Sequence, residues 1–322
     1  MSLTINHQTN DISNATGTIL VNGVAVGGDN TPIVWSGDRG LFGGGFTSAG
    51  AVNVVQYITI ASTGNATDFG NLSANIAYLA ACSNGSRGLF GGGNPDRNTI
   101  DYFTISTTGN STDFGDLTSA RDRLAACSNG IRGVFAGGDT SSSVNTIDYV
   151  TIASTGDAQD FGDLTSVRVH PAGISNATRG LIGGGNHGSV SNRIDYITIA
   201  TTGNATDFGD LSTSRNAPAG GFNDTRGIFC GGQLSNNSFT NVIDYVTVAT
   251  TGNATDFGDL TIVVGIPACA SSDTRAVIGG GNTAGFSKVD VLQYVTIATT
   301  GNATDFGDLL AATNGLSACS GT

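Results

Sequence analysis

The chain has 322 residues, with 13 basic side chains against 25 acidic ones and a net charge of −12 at pH 7. A protein that binds nucleic acid or an anionic membrane surface needs a basic face, so this balance excludes both classes of partner. Every acidic residue is aspartate, Lys288 is the only lysine and 49 residues are glycine. This composition disfavours helices, while β-branched and aromatic runs between turns favour short strands, so we predict an all-β protein.

The first 30 residues do not follow the pattern of the rest of the chain. Residues 16–26 read T-G-T-I-L-V-N-G-V-A-V, which predicts a small hairpin around Asn22-Gly23. We expect residues 1–30 to form a β extension that either tethers another subunit or packs on the side of the main domain. The chain has neither a signal-peptide pattern nor an apolar run of roughly 20 residues, so we expect no membrane insertion.

Six copies of one motif fill residues 31–322, which we predict to be a single domain. The aromatic residue of a D-F-G triplet recurs every 45 to 49 residues, and an arginine followed by an apolar run and glycines recurs in step. A period of this length predicts a propeller or a stacked array. The phenylalanines are Phe69, Phe114, Phe161, Phe208, Phe257 and Phe306, and the arginines are Arg39, Arg87, Arg132, Arg179, Arg226 and Arg275.

The third copy shows the predicted strands of one unit. Strand A is expected over residues 124–128 and strand B over 133–136, with Asn129-Gly130 between them as a hairpin turn. Strand C alternates over residues 146–153, and strand D begins over 161–164. Four short antiparallel strands, repeated radially, make the blade of a β-propeller.

The ends of the chain predict how the ring closes. Residues 315–322 have the pattern of strand A, with Cys319 matching Cys82 and Cys127, and no strand B follows them. An isolated strand leaves unpaired edges, so we expect this segment to complete the first blade. Residues 31–35 compete for the same position. We predict a propeller of six blades, with seven, the extra partial unit coming from residues 18–29, as the alternative.

The repeated polar and sulfur-containing residues are interpreted as structural. For the aspartate pairs, such as Asp113/Asp116, we favour turn chemistry, with calcium ligation or acid–base catalysis as alternatives. For the arginines before strand B we expect ion pairs with aspartate, and an anion-binding ring is the alternative. The cysteines are expected to fill tightly packed strands without disulfides. Because no histidine, serine or cysteine constellation appears, we predict no catalytic site, metal or cofactor.

The loops between strands B and C differ most among the six units. In an antiparallel blade these B–C loops and the D–A connections share one face of the disc, and function tends to lie on loops held by a rigid scaffold. The alternative is that these loops bind nothing. The predicted contacts on this face are Phe46, Arg97, His187, Phe239 and Phe286.

The order of landmarks in each unit resembles the kelch repeat. In the third unit Arg121 precedes strand A, Gly137-Gly138 ends strand B, and Tyr149 and Phe161 follow at comparable spacing. The resemblance covers residues 33–320, and phenylalanine stands where kelch repeats have tryptophan. It implies a propeller of kelch-like blades.

The opening M-S-L-T-I-N-H-Q-T-N-D-I-S-N-A-T-G-T-I, together with the style of the repeat, resembles bacteriophage virion proteins of the tail-fibre or head-decoration type. This resemblance implies a non-enzymatic protein in the virion, oligomeric in the assembly and attached to other virion proteins through residues 1–30. The displayed propeller would bind a host glycan or surface protein. The alternatives are a carbohydrate-active propeller enzyme and a cellular kelch-like adaptor, with an extracellular or cytoplasmic location.

Overall fold

A computed structural model describes residues 37–322 in full and, before them, only the backbone of four short strands. Residues Met1–Val34 form one compact unit and Trp35–Thr322 another. In the first unit, Leu20–Val21 pairs with Val24–Ala25, which confirms the hairpin predicted around Asn22-Gly23, and Thr4–Asn6 pairs with Asp11–Ser13. Residues 31–35, predicted as a competing strand A, lie outside the described residues.

The second unit is a six-bladed β-propeller built from six four-stranded antiparallel sheets. Strands A of successive blades contact one another around the central channel, and strands D form the outer rim. The strands of blades 1 to 3, in the order A to D, are Ser317–Gly321, Arg39–Gly43, Val54–Thr59, Thr67–Asn71; Ala80–Ser83, Arg87–Gly91, Thr99–Thr104, Thr112–Asp116; and Ala125–Ser128, Arg132–Ala136, Thr146–Thr151, Gln159–Asp163. Those of blades 4 to 6 are Ala172–Ser175, Arg179–Gly183, Arg193–Thr198, Thr206–Asp210; Ala219–Phe222, Arg226–Cys230, Thr240–Thr247, Thr255–Val264; and Ala268–Ser271, Arg275–Gly279, Val291–Thr296, Thr304–Asp308.

Short elements decorate two of the B–C loops. Phe46–Thr47 pairs with Gly50–Ala51 in blade 1, and Asn282–Thr283 pairs with Ser287–Lys288 in blade 6 around the 3-10 turn Ala284–Phe286. In the described part of the chain, no helix is long and apolar enough to cross a membrane.

The C-terminal strand closes the ring, as predicted. Strand Ser317–Gly321 pairs antiparallel with Arg39–Gly43, which places Cys319 opposite Leu41. The described propeller therefore has six blades rather than seven. Two hydroxyl contacts join the closing strand to its neighbours: Ser320 Oγ donates to the carbonyl of Ser271, and Ser83 Oγ donates to that of Ser320, both at 2.5 Å.

Small residues allow strand A of one blade to pack on strand B of the next. A Cβ added at Gly133 would lie 2.8 Å from Cys82 Sγ, and one at Gly180 would lie 2.5 Å from Cys127 Sγ. Where strand B carries Ala276 instead of glycine, the facing strand A carries Gly221 instead of cysteine. All five cysteines are free and lie on strands A or B, and all except Cys269 are buried.

The turn between strands C and D fastens each blade to the preceding one. Asn110 Oδ1 accepts from the amide of Asn71 at 3.0 Å, and Asn65 makes the same contact with Asp308 across the closure. The glycine of D-F-G leaves room for this turn, because Gly115 has φ +141° and a Cβ there would lie 2.6 Å from Gly156. The aspartate pairs, predicted as turn residues, lie instead on strand D, where Asp116 contributes its backbone amide to the fastening contact.

The arginines that precede strand B do not pair with aspartate, contrary to our expectation. Within residues 37–322 each one stacks on the tyrosine of its own blade and donates to a main-chain carbonyl of the next blade. Arg132, for example, lies 4.4 Å from the centroid of Tyr149 and donates to the carbonyl of Ile199 at 3.2 Å. Arg275 completes the circle by donating to the carbonyl of Ala61 at 2.8 Å.

The arginines before strand A form the buried ion pairs of the propeller. Arg121 lies 2.8 Å from Asp148, and both side chains have no exposed surface. The same guanidinium donates to the carbonyls of Phe135 and Thr146, each at 3.2 Å. Equivalent pairs are Arg168–Asp195 and Arg215–Asp244.

The other three blades lack this arginine. In two of them the aspartate is also replaced, so that Val264 and Gln293, or Thr313 and Gln56, occupy the positions of the ion pair. Blade 2 keeps the carboxylate of Asp101 but has Ile76 at the arginine position, and Asp101 Oδ1 is buried without a partner. A buried carboxylate oxygen without a donor is destabilising.

The unpartnered oxygen of Asp101, whose Oδ2 already accepts from the amide and hydroxyl of Ser73, predicts a stabilising substitution. Ile76→Arg should raise the free energy of unfolding by about 1 kcal/mol, since the gain from pairing the unsatisfied Oδ1 exceeds the lost apolar burial. The measurement is equilibrium unfolding in urea. Val264→Arg is the matched control, because it places the same guanidinium against neutral Gln293 and should destabilise the fold. Equal changes in the free energy of unfolding of the two variants would contradict the conclusion that Asp101 Oδ1 lacks a donor.

Candidate functional site

The face that carries the B–C loops and the D–A connections, here called the variable face, holds all five residues predicted as contacts. Arg97 is half-buried beside Asp101, and His187 is exposed in the loop of blade 4. Phe239 is buried and stacks edge-on against Phe286, which is 55% exposed, with ring centroids 5.4 Å apart. Phe46 packs against Tyr78, which lies at the centre of the disc. The described structure does not bring the five residues into one pocket.

The centre of the variable face is the mouth of the channel, and six equivalent residues surround it just before strand A. All six have left-handed backbone conformations, with φ between 51° and 63°. Five are not glycine, and such strain in bulky residues tends to cluster at functional sites. We call these residues the channel-mouth ring: Tyr78, Arg123, His170, Ala217, Ile266 and Gly315.

Main-chain hydrogen bonds hold the channel-mouth ring in place. The N–H of each residue except Gly315 donates to the carbonyl of the equivalent residue in the preceding blade, at 2.7 to 3.2 Å. The backbone of the mouth is therefore the same in every blade, and only the side chains differ. The bonds are Tyr78 to Gly315, Arg123 to Tyr78, His170 to Arg123, Ala217 to His170 and Ile266 to Ala217.

The side chains divide the ring into two unlike halves. The aromatic and basic half places the rings of Tyr78 and His170 5.2 Å apart and edge to face, with the guanidinium of Arg123 5.4 Å from the tyrosine centroid. Phe46 contacts the same tyrosine at 5.5 Å. The opposite half carries only Ala217, Ile266 and Gly315. The opening is therefore asymmetric despite the sixfold backbone.

An acidic group adjoins the aromatic half. Asp122 is buried, and its carboxylate accepts from Arg123 Nη1 and Asn94 Nδ2, both at 3.2 Å. The same Nη1 lies 3.4 Å from Asp139. Burial raises the pKa of Asp122, with Arg123 and Asn94 acting in the opposite direction. The result is a chain of polar groups from the mouth toward the loop of blade 3.

Histidine and tyrosine at the mouth are neutral at physiological pH. Burial, with a smaller contribution from Arg123, lowers the pKa of His170 to about 3. Burial also raises the pKa of Tyr78. The half-buried pair therefore presents hydrogen-bonding groups without ionic charge, and among the described residues Arg123 supplies the cation at the mouth.

A cavity of about 110 Å³ lies at the mouth and is lined by the ring and by the first residues of the six strands A. Its walls below the ring are small, as at Ala80, Ala125, Ala172, Ala219 and Ala268. A cavity of this size admits water and a small side chain or functional group rather than a whole drug-sized ligand. In residues 37–322 no three His, Cys or Asp side chains are arranged to hold a metal ion.

Reasoning from the sequence missed the channel-mouth ring. The ring recurs at the same intervals of 45 to 49 residues as the D-F-G phenylalanine, so aligning the D–A connections of the six units would have exposed its non-repeating side chains. The B–C loops drew attention because they differ in length. The connection of constant length carries the more unusual chemistry.

No protein-family model matches the chain, and the search of curated proteins found no similar sequence. The class of the molecule is therefore defined by its fold. The described propeller is consistent with kelch-like architecture, having six blades closed by the C-terminal strand and an arginine before strand A in three of the D–A connections.

Proposed function

We propose that this chain is a non-enzymatic interaction protein that binds its ligand at the channel mouth of the variable face. The observation that carries the proposal is the channel-mouth ring, where a constant hydrogen-bonded backbone presents unlike side chains. Rigid scaffolds with variable side chains at one end are typical of recognition surfaces. The ligand would insert a small polar or aromatic group between the half formed by Tyr78 and His170 and the half formed by Ala217 and Ile266.

We further propose that the protein is a bacteriophage virion component, a fibre or capsid decoration, that displays the propeller toward a host glycan or surface protein. The support is the resemblance of the N-terminal sequence and the separate compact unit Met1–Val34. Residues 1–30 would attach to other virion proteins. Deleting them should abolish incorporation into particles, and undiminished incorporation would reject the attachment role.

A carbohydrate-active enzyme is the second candidate, favoured by one observation. Asp122 combines a raised pKa with unique neighbours near the channel, as a general acid would. Its side chain is only 1% exposed, however, and Arg123 and Asn94 occupy its oxygens. A buried carboxylate held in this way positions the arginine more readily than it donates a proton to a substrate.

The binding proposal predicts the behaviour of a double variant at the mouth. Tyr78→Ala/His170→Ala should weaken binding to a glycan array printed at low density by tenfold or more, about 1.4 kcal/mol, because it removes the aromatic half of the ring. Phe286→Ser is the matched control on the same face and should leave affinity unchanged. Weaker binding by Phe286→Ser together with unchanged binding by the double variant would place the site on the B–C loops instead.

The same array distinguishes binding from catalysis. Glycan turnover that disappears in Asp122→Asn, while binding persists, would establish the enzyme and overturn the first proposal. Glycan binding without turnover by the parent protein supports the proposal of a non-enzymatic interaction protein.

A further inference from the structure

The opposite face of the disc carries the A–B and C–D turns, and we call it the repeat face. Two exposed positions on this face carry threonine in all six blades. Exposed threonine ends strand C in every blade, at Thr59, Thr104, Thr151, Thr198, Thr247 and Thr296, and exposed threonine recurs in every C–D turn, at Thr63, Thr108, Thr155, Thr202, Thr251 and Thr300.

Buried positions in the same blades vary. The residue before the strand-C threonine alternates among isoleucine, phenylalanine and valine, as at Ile58, Phe103 and Val150, and all of these are buried. Exposed positions in folded proteins normally tolerate substitution better than core positions. The exposed threonines nevertheless repeat as strictly as the buried D-F-G phenylalanines, although core packing does not fix them.

Contacts within the propeller explain only some of the residue types that repeat in the C–D turn. Its asparagine or aspartate fastens the preceding blade through Oδ1, as Asp157 does with the amide of Asp116, and in four of the six blades its glycine has φ between +153° and +159°. Strand propensity explains a β-branched residue on strand C. The turn threonine, such as Thr155, is exposed, and among residues 37–322 its hydroxyl has no hydrogen-bond partner.

A concave site lies where these residues meet. In blade 3 it has a volume of about 280 Å³ and a base formed by Arg132 stacked on Tyr149. Thr151 and Thr155 line it, together with Asp157 and Gln159. The arginine, the tyrosine and both threonines are the same residue types in all six blades, and in the other five the last two positions are asparagine and threonine.

The chemistry of this site fits a neutral, hydroxyl-rich group. Hydroxyl, amide and phenol groups offer both donors and acceptors around a pocket the size of one sugar ring. The guanidinium of Arg132 is already stacked on Tyr149 and donates to the carbonyl of Ile199, so it is not a free counterion. The net charge of −12 also disfavours a polyanionic ligand.

We propose that the repeat face holds six equivalent binding sites for neutral saccharide units, one on the C–D turn of each blade. A single shallow site of this kind binds weakly. Six identical sites on one rigid disc gain avidity of about 10²- to 10⁴-fold on a surface that presents many copies of the sugar. The proposal concerns the face opposite the channel mouth and does not depend on the proposed function.

The experiment uses the full chain on an array of neutral hexose and N-acetylhexosamine glycans printed at high and low density, with sialylated and sulfated glycans beside them. We expect binding to neutral glycans that rises steeply with density. Replacing the turn threonine by the isosteric valine in blade 3 alone, Thr155→Val, should change avidity less than twofold. The same change in all six blades should reduce it by about tenfold or more.

Two controls separate this proposal from the channel mouth. Any loss of binding by the Tyr78→Ala/His170→Ala variant at low density reflects the channel mouth, but its binding should still rise steeply with glycan density, because those residues lie on the face opposite the six sites. Circular dichroism and thermal unfolding establish that the six-blade variant is folded. Undiminished binding by the folded six-blade variant, binding only to charged glycans, or no binding at high density would each overturn the proposal.

Discussion

Arg121→Ala should lower the free energy of unfolding by about 3 to 5 kcal/mol, because it leaves Asp148 buried without its countercharge. The two side chains have no exposed surface and lie 2.8 Å apart. The carbonyls of Phe135 and Thr146 lose a donor in the same step. Equilibrium unfolding in urea measures the change, and Arg97→Ala serves as the control, because this half-buried arginine forms no ion pair within residues 37–322.

The protein itself supplies the compensating substitution. At the blade 5–6 junction Val264 and Gln293 occupy the positions of Arg121 and Asp148, and Gln293 Oε1 accepts from the amide and hydroxyl of Thr261. Arg121→Val/Asp148→Gln should therefore recover most of the lost stability, since replacing a buried ion pair as a unit is often neutral. A double variant as unstable as Arg121→Ala would show that the ion pair itself, rather than an uncompensated charge, determines the stability.

The fold could be predicted from the sequence because the same motif repeats six times. Asn129-Gly130, the glycines after strand B and the period of the phenylalanines together indicated a four-stranded blade, and the strand pattern around Cys319 indicated ring closure. These signals are local, because a turn or an alternating strand is recognised within ten residues. Predicted bounds differed from the observed strands by one or two residues, as at the end of strand C in blade 3.

Side-chain partners were less predictable than strands. Arg132 begins strand B and Arg121 precedes strand A of one blade, yet one stacks on tyrosine and the other forms a buried ion pair. Spacing along the chain gives the order of such residues but not the direction in which they point across a blade interface. The channel mouth was missed for the same reason, since Tyr78 and His170 meet only after the blades have closed around the axis.

Removing the C-terminal strand should have the largest effect of any change to the propeller. A chain that ends at Asn314 loses the five-residue strand beside Arg39–Gly43 and the buried side chains of Leu316 and Cys319. The loss of buried side chains and of ladder hydrogen bonds is about 5 kcal/mol or more. That loss is comparable with the entire stability of a typical domain. We expect the truncated chain to lose its cooperative unfolding transition in urea.

A circular permutant separates the missing strand from the broken connection. Gly321 lies against Gly37, so residues 315–322 can be joined through Thr322 to Asp38, giving a chain that begins at Gly315 and ends at Asn314. This permutant has the same strand pairs but closes blade 1 by a tight turn instead of by docking of the two ends. It should regain a cooperative transition at a urea concentration equal to or above that of the parent. If the truncated chain unfolds like the parent, then five complete blades and a blade 1 without strand A are sufficient for a stable fold. In that case the C-terminal strand does not stabilise the ring.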